Sequence, residues 1–271
     1  MIDLHSHSVA SDGQYRPTEV AERAAAAGLT VWALTDHDTV AGLADGDSAA
    51  KRLGMDFVPG IELSVQFDRR EVHVLGHFID PEGPALRGFS DLLAEKRRVR
   101  MGEIISKLAA LGVPLAPDDV ERFAGGKILG RPHVARALVE KGVVSTVREA
   151  FDRYLGEGRP AYVGRFRLDV KDAIRMVHEA GGTATLAHPG VNGIERGDLG
   201  RLRGFGLDGV EVYHLDHNPS VRDKYLRAAA QYDLVATAGT DYHGEAVAPD
   251  RMFGGVTMPR DAYDLLQSRR P

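Results

Sequence analysis

Nine imidazole and carboxylate side chains, scattered from one end of the chain to the other, carry the chemistry that this sequence offers. His5 and His7 stand two residues apart in Leu4-His5-Ser6-His7, so in an extended segment both point the same way. Asp12 follows in Ser11-Asp12-Gly13, and Asp241 and His243 repeat the two-residue spacing near the other end. Between them lie His37 in Thr35-Asp36-His37-Asp38, Glu62 in Gly60-Ile61-Glu62, His73 in Val72-His73 and His188 in Ala187-His188-Pro189-Gly190. Nine nitrogen and oxygen donors are more than one ion takes, and multinuclear sites of this ligand type carry out hydrolysis. Each residue alone is a weak signal, because a lone histidine serves equally well in a core or on a surface. Their repeated placement at the ends of short apolar runs is the stronger one.

The chain of 271 residues is long enough for one large domain, or for a domain with another inserted into it. Its 43% hydrophobic and 27% charged content is ordinary for a globular protein. The absence of cysteine excludes disulfides, a thiolate nucleophile and thiolate-held zinc or iron–sulfur centres. No apolar run approaches the ~20 residues that span a bilayer. The histidine motif begins at residue 5, which leaves no room for a signal peptide before it. A cytoplasmic enzyme without a membrane or an obligate protein partner is expected.

Strand and helix alternate over the first 80 residues. The pattern predicts a strand over 2–7 and an alanine-rich helix over 17–28, capped by Thr18 and stopped by Gly28. A buried strand over 29–35, a helix over 41–53 and short strands over 57–58, 63–67 and 72–78 follow. The alternation resumes near 160, with helices over 169–179 and 221–232 and strands over 183–187, 209–213 and 234–238. Repeated strand–helix units imply a mostly parallel sheet, open or closed into a barrel. His37, His188 and Asp241 each follow such a strand, at the rim where parallel barrels assemble their sites.

The stretch between the two halves is helical in pattern, punctuated by Pro114, Pro117, Pro132, Gly125, Gly126 and Gly130. The expected organisation is therefore 1–84 and 159–271 for the barrel and 85–158 for a small α-helical insertion. The net charge of −5 is unevenly spread: between Arg87 and Arg159 there are 14 Lys or Arg against 10 Asp or Glu. An acidic body suits cations and a basic insert suits an anionic substrate, although a solvated basic face would look the same. In the long helix expected over 86–111, Leu86, Phe89, Leu93, Ile104, Leu108 and Leu111 form one stripe. Arg97 and Arg100 interrupt it and Lys96 lies at its edge, so they either snorkel or grip something anionic. Arg131 and His133, in Gly130-Arg131-Pro132-His133, open a further helix whose free N–H groups favour an anion.

As an ordered set, the motifs quoted above, together with Gly239-Thr240-Asp241-Tyr242-His243, resemble those of the PHP family of metal-dependent phosphoesterases. The resemblance implies an α/β fold, a distorted (β/α)7 barrel, around a trinuclear site that takes manganese, zinc or iron, manganese being favoured. It implies that His5, His7, Glu62 and Asp241 hold one ion, that Asp12, His37 and His243 hold a second, and that Glu62, His73 and His188 hold a third, with Glu62 bridging. The insert with its Gly-Arg-Pro-His motif is similar to the cap of the subgroup containing 3′,5′-nucleoside bisphosphate phosphatases and enzymes that trim short oligonucleotides from the 5′ end.

The reaction this resemblance implies is hydrolysis of a nucleotide phosphate ester, foremost the 3′-phosphate of a nucleoside 3′,5′-bisphosphate, with short 5′-phosphorylated oligonucleotides as further substrates. A hydroxide held by the ligand set would attack phosphorus in line while Lys96, Arg97, Arg100, Arg131 and His133 orient phosphate. His214 and His217 follow a strand at the rim and are candidates for contacting substrate or protonating the leaving group. Asp36 and Asp38 flank His37 either as orienting partners or as turn residues, while His77 reads as structural and His178 as a surface residue. Three other readings compete: a histidinol-phosphate phosphatase, an amidohydrolase, and a metal-binding PHP module without catalysis. The basic insert favours a substrate with two phosphates over histidinol phosphate. No lysine occupies an evident rim position, as amidohydrolases commonly need, and the ligand set is complete.

Overall fold

A computed structural model describes residues 1–123 and 130–271. In chain order it contains β1 (Ile2–Asp3), α1 (Pro17–Ala26), β2 (Val31–Leu34), α2 (Leu43–Leu53), β3 (Asp56–Phe67) and β4 (Arg70–His77). There follow α3 (Pro84–Ala110), α4 (Pro117–Glu121), α5 (Arg131–Glu140), α6 (Val147–Ala150) and a π-helical turn, Phe151–Leu155. The chain then forms β5 (Leu168–Asp169), α7 (Val170–Glu179), β6 (Thr183–Leu186), α8 (Arg196–Gly204), β7 (Gly209–Tyr213), α9 (Pro219–Gln231), β8 (Val235–Ala238) and α10 (Arg260–Ser268). Gly125 and Gly126 lie outside the described residues.

The strands form a sheet in the order β1-β2-β3-β4-β6-β7-β8, with β5 beside β3. Its last strand comes round to its first: Leu4 N donates to Ala238 O at 3.0 Å, and Ser6 pairs with Tyr242. The result is a distorted (β/α)7 barrel. Val31–Leu34 is wholly buried, as a parallel strand covered on both faces must be. The sheet is not all parallel, however, because β3 pairs antiparallel with β4, and β4 with β6. Phe67 and Arg70 face each other across a two-residue turn, too short for a crossover helix. Asp68 accepts the left-handed backbone there (φ 54°), which an aspartate tolerates better than most residues.

Several local expectations change for identifiable reasons. The segment 57–67 reads as two strands broken at Pro59-Gly60 but folds as one, because Gly60 provides close approach and no turn. A Cβ there would lie 2.7 Å from Thr35 Cγ2 and 3.0 Å from the Gly76 carbonyl oxygen. The regular strand expected over 2–7 ends at Asp3 and continues as isolated bonds, among them Thr35 N to Ser6 O at 2.9 Å. The cap of α1 is Arg16 and not Thr18: its N–H donates to Glu19 Oε2 at 2.9 Å, and Pro17 takes the first helical position. Two helices escape the pattern. One of them, α8, carries Gly197, Gly200 and Gly204 against its propensity, and a Cβ on Gly200 would stand 2.8 Å from the Tyr232 ring. The other, α10, buries only Tyr263 and Leu266. Leu111 leaves the apolar stripe because its helix ends at Ala110, and it is 46% exposed.

Two compact units result, one formed by Met1–Arg87 with Arg167–Pro271 and the other by Gly88–Phe166, where the sequence pattern sets the helical segment at 85–158. The helical unit has a core of its own around Ile104, Leu108, Val120, Val134 and Leu138. Replacing Leu138, fully buried there, by alanine is expected to cost about 2–5 kcal/mol. Amide exchange is the measurement: protection should fall across Arg131–Glu140 and stay unchanged in Val31–Leu34. Equal loss in both would show that the two units open together.

Candidate metal centre

Glu62 reaches the rim because β3 continues beyond its partner β2: Glu62 N bonds Asp36 O at 3.2 Å and Asp38 N bonds Glu62 O at 2.8 Å. His37, between those two aspartates, is thereby set beside Glu62. The Glu62 carboxylate is almost fully buried and meets five histidines. Its Oε2 lies 3.3 Å from His5 Nε2, 3.2 Å from His7 Nε2 and 3.0 Å from His37 Nδ1. Its Oε1 lies 2.8 Å from His73 Nδ1 and 3.3 Å from His188 Nε2. Yet Glu62 Oε2, His37 Nδ1 and His73 Nδ1 are buried without a partner in hydrogen-bond geometry. Buried polar atoms normally find one. Lone pairs that crowd together at this spacing while declining to hydrogen-bond are suited to sharing cations.

The donor atoms fall into three groups, each lying within 4.8 Å of one another: His5, His7, Glu62 and Asp241; His7, Asp12, His37 and His243; and His37, Glu62 and His73. The first matches one expected ligand set, and the second adds His7 to another. His188 is outside the third group but keeps its contact with Glu62. The imidazole–carboxylate chemistry of all three fits divalent ions.

The barrel holds these side chains with buried polar partners, one of which the sequence pattern did not single out. Glu211, in Val210-Glu211-Val212 of β7, accepts from His5 Nδ1 at 3.0 Å and from His188 N at 2.8 Å. Its first bond sets the proton of His5 on Nδ1 and turns Nε2 toward Glu62 and Asp241. A charged residue inside an apolar run was the available signal. Gly239 keeps this corner open, since a Cβ on it would sit 2.2 Å from Glu211 Oε1 and 2.3 Å from His5 Cβ. Asp36 is a turn residue: it accepts from Ser8 N, Ser8 Oγ and Ser11 Oγ at 2.6–2.7 Å and shapes the loop bearing Asp12. Asp38 accepts from Ser64 N at 3.1 Å. Asp38, His188 and Asp241 have positive φ (53°, 26° and 53°), backbone strain gathered where the donors sit.

His214 and His217 are buried beside the donors. His214 is fully buried; its Nδ1 accepts from Asp216 N at 3.1 Å, and its Nε2 is 3.9 Å from Asp241 Oδ2. His217 uses both nitrogens, Nδ1 on the Val212 carbonyl at 3.0 Å and Nε2 on Gly190 N at 3.1 Å, and so braces the turn after His188. Burial lowers its pKa. His77 is structural, with Nε2 2.9 Å from the Leu4 carbonyl and its pKa pressed by burial to about 4. His178 is less of a surface residue than expected, because its Nε2 bonds Asp208 at 2.8 Å.

Lys96, Arg97, Arg100, Arg131 and His133 belong to the helical unit, whereas all nine donors belong to the barrel. Within the helical unit Arg100 Nε bonds Val163 O and Arg131 Nη1 bonds Leu155 O, both at 3.0 Å. The Arg131 guanidinium stacks 5.2 Å above the Tyr162 ring and 5.7 Å above that of Phe151. His133 Nδ1 accepts from Gly130 N at 3.0 Å and closes the first turn of α5. Lys96 lies 5.3 Å from the Phe166 ring and Arg97 is half-buried.

A PHP-domain model matches residues 3–156, more than half of the chain. The chain belongs to the PHP family. It is 38% identical over 248 residues, 89% of each chain, to a 5′-3′ exoribonuclease of Haemophilus influenzae. It is also 38% identical to a 3′,5′-nucleoside bisphosphate phosphatase of Chromobacterium violaceum, over 89% of this chain and 87% of that one. A solved structure from Bifidobacterium adolescentis, described as that of a metal-dependent phosphoesterase, covers 100% of this chain and 96% of its own. Its TM-score is 0.75 at 29% identity. This PHP protein is a metal-dependent phosphoesterase, and no helix among its described residues is long and apolar enough to cross a membrane.

In this PHP centre protons and cations compete for the same atoms. Burial alone would depress His7, but the Asp241 and Glu62 carboxylates beside its Nε2 outweigh this and raise its pKa to about 9. His5 is likewise raised against burial by Asp241, Glu62 and Glu211. Glu62 and Asp241 are held well below the usual carboxylate range, burial being outweighed by the histidines around them. In the metal-free protein the His7 contribution to stability is complete below pH ~6.5 and is lost as pH rises through about 9. Metal ligation needs neutral imidazole, so loading at pH 7 should release protons and loading at pH 10 far fewer. Calorimetry in buffers of different ionisation enthalpy measures this, and equal release at both pH values would contradict it. Glu211→Gln keeps the size but removes one acceptor, so metal affinity should fall roughly 10- to 100-fold with the fold intact. Unchanged affinity in a metal titration would show that His5 and His188 are oriented without Glu211.

Proposed function

We propose that this protein removes the 3′-phosphate of nucleoside 3′,5′-bisphosphates and also accepts short 5′-phosphorylated oligonucleotides, using three divalent ions, manganese in preference to zinc or iron. The observation that carries the reading is the Glu62 carboxylate set among five histidines with no hydrogen bond to its Oε2, which supports a bridging role among several ions. The choice of substrate is supported by relatives 38% identical over nearly the whole chain, whose names specify a nucleoside bisphosphate and RNA.

The ligands would be His5, His7, Glu62 and Asp241 for one ion, Asp12, His37 and His243 for a second, and Glu62, His73 and His188 for a third. Bound divalent ions supply Lewis acidity, which lowers the pKa of water and offsets phosphate charge. The protein's own part is to orient and to neutralise. Glu211 fixes His5, and His217 fixes the turn after His188. Lys96, Arg97, Arg100, Arg131 and His133 would engage the second phosphate of the substrate. A guanidinium already set by one backbone carbonyl and two aromatic faces, as Arg131 is, loses little freedom on binding.

The test is phosphate release from adenosine 3′,5′-bisphosphate, histidinol phosphate and a short 5′-phosphorylated RNA at equal concentration, with metal content measured on the same sample. The bisphosphate should have the highest kcat/KM, with close to three ions bound, and chelation should abolish turnover. A preference for histidinol phosphate would sink the substrate assignment. At most one ion in a fully active sample would sink the trinuclear one.

A further inference from the structure

Two clefts adjoin the donor groups, both within the barrel unit. One, of about 250 Å³, is lined by His37, Glu62, His73, His188, Asp241 and Arg251 among others. The other, of about 410 Å³, has Asp12, Asp216, His243, Asp250 and again Arg251 in its wall. Arg251 is the one permanently charged cation among the described residues lining either cleft. It lies on the loop after β8, about a quarter exposed, and nothing in the spacing of the sequence draws attention to it. Its Nη1 donates to Asp241 Oδ2, and its Nη2 donates to Asp216 Oδ2 at 2.8 Å.

The two oxygens of Asp241 face different neighbours. Oδ1 lies 3.0 Å from His7 Nε2 and 3.3 Å from His5 Nε2, on the side of the donor groups, while Oδ2 takes Arg251. A centre built to collect divalent cations repels a guanidinium at its edge. Two carboxylates hold the guanidinium there against that repulsion, and an anion lying between it and the cations would relieve the repulsion further. Only two of the five N–H hydrogens of Arg251 are used by these bonds, and the planar fork is held by two anchors before any ligand arrives.

We propose that Arg251 is a substrate-binding residue that donates to a non-bridging oxygen of the reacting phosphate. The proposal rests on the phosphoesterase reading of this site and adds to it a contact from the barrel itself. Because it concerns the reacting phosphate, Arg251 should matter equally for every ester the enzyme hydrolyses, unlike residues that hold a second phosphate.

The test uses Arg251→Ala and Arg251→Lys in the manganese-loaded enzyme, with three readouts: metal content, affinity for inorganic phosphate by calorimetry, and kcat/KM on adenosine 3′,5′-bisphosphate and on a small aryl phosphate. Arg251→Ala should retain full metal content, bind phosphate roughly ten- to a hundredfold more weakly and lose a similar factor of kcat/KM on both esters. Arg251→Lys, which keeps the charge without the fork, should recover part of each loss. Unchanged phosphate affinity overturns the proposal. So does loss of metal in step with activity, because Arg251 would then act only by holding Asp241, and so does a loss confined to the bisphosphate. If the unaltered enzyme hydrolysed neither ester, the proposed function would fail, while the phosphate titration would still decide the role of Arg251.

Discussion

A buried carboxylate touching five imidazoles is the constraint around which this barrel is arranged. An isolated ionised carboxylate out of water costs many kcal/mol, and Glu62 tolerates its position only because positive charge surrounds it, as protons on histidines or as metal ions. The five histidines come from four places: the segment after β1, the loop after β2, β4, and the turn after β6. His5 and His7 share the first. Bringing them within reach of one side chain requires the sheet to curl until β8 meets β1. Closure of the barrel and assembly of the centre are thus a single geometric requirement.

The same requirement explains where the backbone is strained and where side chains are missing. His188 and Asp241 adopt positive φ, which places their side chains over the rim, and the surrounding bonds hold them so. Gly239 and Gly190 stand where any Cβ would strike Glu211 or His217, the two residues that support the donors. Asp3, buried and raised by that burial to about 6 against its bonds to Thr240 and His5 N, ties the chain before His5 to the chain before Asp241. The polar network therefore reaches below the rim, and its members are spread over the whole barrel sequence.

Arginines in the helical unit are tied down within that unit. Arg100 interrupts an apolar stripe and Arg131 opens a helix, and their donors are engaged with Val163, Leu155, Phe151 and Tyr162 of the same unit. For Arg131, such engagement fixes the orientation of the guanidinium.

The ligand types, their pairing two residues apart and the strand–helix alternation were legible from the chain alone, because side-chain direction in a strand and apolar periodicity are local properties. Strand β7 and the end of α7 at Glu179 were readable for that reason. The absence of cysteine likewise determined that no thiolate would be among the donors. Only the tertiary structure decided that β4 runs antiparallel, that Pro59-Gly60 continues a strand, and that glycine-rich α8 is a helix, since each depends on what packs against it from elsewhere. It alone decided that Glu211 orients two donors, that His214 and His217 are buried beside the donors, and that Arg251 lies at the edge of the centre. Those roles arise from contacts between residues up to 206 positions apart, and separation of that kind leaves no pattern along the chain.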